Sequence, residues 1–125
     1  SWYRRQRQMC IRDSIENEKK DIVDLFSSAI KLFKKSLDCF ARKDFKLAEI
    51  IRKQDLDIDK KYKHFFNELL EKMSNESKLV VPGTHMLFIA KNLERIGDHA
   101  TNIADAISYM ATGEVQAPER PKISE

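Results

Sequence analysis

From Ile22 to Met110 the apolar residues of this chain recur every three or four positions, and almost nothing punctuates them. Three glycines and three prolines serve 125 residues, and Pro118 and Pro121 lie close to the end. Such spacing without turn signals predicts a few long helices and argues against many short strands.

The first helix is expected from about Ile15 to Phe40, with Ile22, Phe26, Ala29, Phe33, Leu37 and Phe40 as its inward stripe. "ARKDF" turns the chain, and Asp44 is placed to cap the next helix. That second helix is expected from about Phe45 to Met73, with the stripe Ala48, Ile51, Asp55, Ile58, Tyr62, Phe65 and Leu69. Asp55 stands there at a position where an apolar side chain belongs. "SNESK" is polar and interrupts the pattern. Pro82, tolerable in a first helical turn, opens a third helix running to about Thr112, with the stripe Met86, Ile89, Leu93, Ile96, Ala100, Ile103, Ile107 and Met110. Gly113 is suited to end it. The expected fold is all-α: an up-down-up three-helix bundle over residues 15–113, between an N-terminal arm, 1–14, and an extended polar tail, 114–125. "QMCIRDS", within the arm, shares no periodicity with the helices, so residues 1–14 read as foreign to the fold and the chain as a piece of something longer.

The charge pattern excludes several function classes. The formal net charge is +3, with Lys and Glu interleaved, so no basic stripe for nucleic acid is visible. No apolar run approaches the roughly 18–20 residues of a membrane span, and the start lacks an apolar signal segment. Cys10 and Cys39 belong to no CxxC or Cys/His motif and read as reduced thiols of a cytosolic protein. No Ser/His/Asp order, glycine-rich nucleotide loop or Walker motif is present, and no enzymatic machinery is expected.

The stretch "NLERIGDHATNIAD", residues 92–105, poses the main chemical question. At ~100° per residue, Asp98 falls ~40° round the helix from Glu94, Asn102 ~80° and Asp105 ~20°. All four border the apolar seam. Like charges four residues apart repel by a few tenths of a kcal/mol per pair. On the second helix Asp55 lies in the seam, with Asp59 one turn on. With the turn centred near residue 78, these pairs meet at one height to within a turn, so Asp55, Asp59, Glu94, Asp98 and Asn102 are expected to cluster. Gly97, beside Glu94 and Asp98, costs about 1 kcal/mol against Ala in a helix, which a close approach of backbone, ion or partner would explain. Grouped carboxylates keep protons, pair with cationic side chains or bind a cation. Lys91, Arg95 and Arg52 are near enough for pairing, so a salt-bridged face and a metal site both stand. An all-oxygen set suits Mg, Mn or Fe better than structural Zn. His64, His85 and His99 show no ligand spacing, and the Glu-x-x-His pairs of di-iron oxidases are missing.

"PGTHMLFIAKNLERIGDHATNIADAISYMATGE", with "ARKDFKLAEIIRKQDLDIDKKY" before it, resembles the second repeat of the phosphate-uptake regulators called PhoU. That resemblance implies one of two homologous three-helix bundles. It also implies carboxylates in a Glu/Asp-x-x-x-Asp pattern that hold metal clusters. Glu94–Asp98 and Asp55–Asp59 match that pattern, and Asn102 matches the asparagine one turn beyond. Fe or Mn is the implied metal, with Mg or Zn as alternatives. The implied role is a cytoplasmic, dimeric, non-catalytic negative regulator linking a phosphate ABC transporter ATPase to a sensor histidine kinase. The alternative is a structural interaction bundle with no functional metal.

Overall fold

A computed structural model describes residues 15–113. Three helices account for nearly all of them: α1, Glu16–Arg42; α2, Phe45–Asn75; and α3, Val80–Thr112. A single 3₁₀ turn, Ser77–Leu79, joins α2 to α3. Each helix packs on the other two, and no strand occurs among the described residues. This is the all-α, up-down-up three-helix bundle that the periodicity predicts. The arm, 1–14, and the tail, 114–125, lie outside the described residues.

The helix boundaries have local chemical causes. Lys43 ends α1 in the left-handed region, at φ 53°, and the Asp44 N–H reaches back to the Cys39 carbonyl at 3.1 Å. Asp44 then caps α2 as expected, its Oδ1 accepting from the N–H groups of Lys46 and Leu47 at 3.1 Å each. Those donors would otherwise be orphaned at the helix start. Pro82 is the third residue of α3, where its missing N–H leaves no intrahelical bond unmade. Gly113 closes α3 at φ 74°, donating to the Tyr109 carbonyl at 2.7 Å. Cys39, wholly buried, donates its thiol to the Asp44 carbonyl at 3.2 Å. Burial, then the charges of Asp44 and Asp38, push its pKa up, so the thiol holds its proton.

The core is built from Leu25, Leu32, Ile51, Phe65, Leu69 and Leu79, together with alanines 29, 48, 90, 100 and 104, which expose nothing. The alanines let backbones come close where larger side chains would hold them apart. All seven expected stripe residues of α2 are buried, Asp55 among them.

The stripe expected for α1 is corrected. Only Ala29 of that set is buried; Phe26, Leu37 and Phe40 are 52%, 50% and 60% exposed, and Phe33 is 36% exposed. The inward residues are Glu18, Leu25, Ala29, Leu32, Ser36 and Cys39. α1 carries two apolar faces about a third of a turn apart, and the bundle uses the one with smaller side chains. In α3, Ile89 and Met110 of the expected stripe are also exposed. Its small and polar residues Gly83, Ala90, Gly97, Thr101, Ala104 and Ser108 join the buried face instead. Glu18 has no sequence context that singles it out, yet it is buried and pairs with Lys72 of α2 at 2.7 Å. That is the pairing a buried charge requires.

Candidate functional site

The site begins with a missing side chain. A Cβ placed on Gly97 would stand 2.6 Å from Asp55 Oδ1 and 3.6 Å from Ile58 Cγ2. Asp55 on α2 therefore presses its carboxyl against the backbone of α3, in the gap that glycine leaves between Glu94 and Asp98. Helix propensity disfavours glycine there, and this contact is what the glycine permits.

Asp55, Asp59 and Glu94 are buried, with 0%, 3% and 1% exposure. Asp98 is half-buried and Asn102 exposed. The 3₁₀ turn between the helices is centred on Lys78, as expected, and Asp55 stands level with Gly97. Counted antiparallel from that level, Asp59 falls opposite Glu94, and Asn102 falls more than a turn beyond Asp55. Its ~80° rotation from Glu94 turns Asn102 to solvent. The structure thus buries Asp55, Asp59 and Glu94 on α2 and α3, with Asp98 half-buried and Asn102 outside the buried set.

Lysines stand at both sides of this region. Lys63 Nζ lies 3.3 Å from Asp59 Oδ2, and Lys91 Nζ lies 3.3 Å from Glu94 Oε2. Lys91 also sits 5.6 Å from the centroid of the Tyr62 ring, within cation–π range. Arg52 crosses to Asp105 at 3.3 Å. Tyr62 reports the local field: burial first, then the charges of Glu94 and Asp59, push its phenol above the ordinary value. Both carboxylates therefore act on one phenol from neighbouring helices. Of these partners Lys91 and Arg52 are expected from their spacing, Arg52 beside Asp55 rather than on Asp105. Lys63 and Tyr62 are additions from the structure, although Lys63 stands four residues after Asp59, the spacing that makes helical ion pairs.

Chemically, the region offers carboxylate oxygens in a dry seam. Such donors fit a hard or borderline cation, and Gly97 leaves room for close approach. The groups do not form a closed ligand shell: among the described residues, no three His, Cys, Asp or Glu side chains converge closely enough to hold an ion. His64, His85 and His99 are exposed.

The family model described as PhoU domain matches residues 22–107. A relative from Rhizobium meliloti, named phosphate-specific transport system accessory protein PhoU homolog, is 49% identical over 94 residues, covering 75% of this chain and 40% of that protein. Proteins of the same name from Clostridium acetobutylicum and Pseudomonas aeruginosa are 38% and 31% identical, over 75% and 88% of this chain and 43% and 46% of their own lengths. The chain thus spans less than half the length of these relatives. No solved structure matches.

Proposed function

We propose a function from one premise: this chain belongs to the PhoU domain family. It acts within a protein that serves phosphate-specific transport as an accessory. There it restrains the phosphate-starvation response by linking a phosphate ABC transporter ATPase to a sensor histidine kinase. It works in the cytoplasm by binding and assigns no residue to catalysis. No helix among the described residues is long and apolar enough to cross a membrane. A second copy would cover part of the apolar face left open on α1.

The seam carboxylates hold a divalent metal in this reading, Fe or Mn before Mg or Zn. Asp55, Asp59, Glu94 and Asp98 supply charged oxygens, and Asn102 a neutral one from the rim. The ion would supply positive charge that locks α2 to α3. Three of these carboxyl groups, Asp55, Asp59 and Glu94, are buried, and Asp98 is half-buried. The observation that carries this reading is the seating of Asp55 against Gly97, which joins the two carboxylate pairs.

A second reading has its own support. Lys63 on Asp59 and Lys91 on Glu94 neutralise two of the carboxylates without any ion, as a structural bundle would. Calorimetric titration of Mn²⁺ into the chain separates the two. Saturable binding weakened at least tenfold by Glu94→Gln with Asp98→Asn supports the metal reading. Equal heats in both proteins, with one melting temperature in the presence and absence of chelator, support the structural one.

A further inference from the structure

We propose that the groove between α1 and α2, on another face of the bundle from the carboxylate seam, binds a linear oligophosphate. Lys31 and Lys35 of α1 and Lys60 and Lys61 of α2 line it, with Ser28 and Gln54 as neutral partners. Its volume of about 480 Å³ is that of a small-molecule site, which runs to roughly 300–1,000 Å³. Leu32 and Ile58 contribute apolar surface to the lining.

Two lysine pairings fix its ends. Lys35 Nζ donates to Gln54 Oε1 at 2.9 Å, and Lys61 Nζ donates to Ser28 Oγ at 2.8 Å. Seven residues separate the two ends on each helix, a span of ~10 Å at 1.5 Å per residue. Lys31 and Lys60 lie between those ends. The cations therefore form a row rather than a point, which suits a chain of several anionic groups better than one orthophosphate.

The row is unbalanced. Lys61 pairs with Asp24 at 2.9 Å, and Asp57 also lines the groove. These offset two of the four charges. Lys31, Lys35 and Lys60 have no carboxylate partner among the described residues. Lys31 and Lys35 repel as an i,i+4 pair, and the lysines of α2 face them across the groove. A multivalent anion would relieve that repulsion along its whole length, and lysine serves phosphate well as a point charge. This inference does not rest on the metal reading.

The test is calorimetric titration of the full chain with sodium tripolyphosphate, in metal-free buffer at constant ionic strength. Saturable one-to-one binding is expected, with orthophosphate at least tenfold weaker. Lys31→Gln with Lys60→Gln should weaken tripolyphosphate binding at least tenfold. Lys19→Gln with Lys20→Gln removes the same charge elsewhere on α1 and should change it less than twofold. ATP separates the sources: binding as tight as tripolyphosphate assigns the site to any triphosphate chain, and tenfold weaker binding assigns it to the inorganic chain. All four lysines are solvent-facing or half-buried, so the variants should keep the helical circular dichroism of the parent. Absent saturation, equal affinity for orthophosphate, or equal losses in both double variants would overturn the proposal.

Discussion

Gly97→Ala should destabilise this bundle, although the same change in most helices stabilises. In an exposed helix interior, alanine gains about 1 kcal/mol over glycine. At position 97 the new Cβ would meet Asp55 Oδ1 at 2.6 Å. Asp55 has a short side chain and no exposure, so it cannot swing out to solvent. Overpacking of a filled interior costs about 1–3 kcal/mol. Set against the propensity gain, a net loss of about 0–2 kcal/mol is expected. Asp55→Ala removes the obstructing oxygen, and in that background Gly97→Ala should stabilise by about 1 kcal/mol. The sign therefore reverses, with a coupling of about 1–3 kcal/mol between the two positions. Urea unfolding of the four proteins, monitored by circular dichroism, measures both differences. A gain of the same size in both backgrounds would refute the claim that Gly97 exists to admit Asp55.

Phe65→Ala should lower stability by about 3–5 kcal/mol, since Phe65 is 2% exposed at the bundle centre; a urea midpoint close to the parent's would contradict the packing described. Asp44→Ala should cost about 0.5–2 kcal/mol through the loss of the α2 cap, read in the same unfolding experiment. The raised Tyr62 pKa means that the folded chain keeps a proton which the unfolded chain releases. Stability is thus intact below the ordinary value of 10.0 and is lost as pH rises through the folded pKa. Tyr62→Phe should flatten that alkaline decline in urea midpoints measured against pH, and a decline unchanged in the variant would exclude Tyr62 as its source. Phe26→Ser with Phe40→Ser should leave the urea midpoint nearly unmoved and weaken self-association in sedimentation, because both side chains are outside the core.

Much of this molecule is legible from periodicity. The three helices, the Asp44 cap, the first-turn proline and the Gly113 stop all stem from local chemistry. α2 is legible in full because it carries a single apolar stripe, and its one anomaly, Asp55, marks the site. α1 misleads because Phe26, Phe33, Leu37 and Phe40 form a stripe as regular as the buried one. Periodicity reports that a face is apolar and not which of two faces a bundle buries. Asn102 is exposed because it lies ~80° round α3 from Glu94, and the apolar pattern alone does not show how far round the helix burial extends. Lys63 escapes notice because an ion pair within one helix leaves no gap in the apolar pattern.

If Asp55 and Asp59 meet Glu94 and Asp98 across Gly97 to form a cation centre, anomalous diffraction at the manganese edge, from crystals grown with Mn²⁺, will locate the ion. The expected result is a peak in the α2–α3 seam beside Asp55 and Glu94, with Lys91 drawn back from the Glu94 carboxylate. A seam without a peak and with Lys63 and Lys91 still seated on Asp59 and Glu94, or manganese bound only at exposed carboxylates, would contradict it.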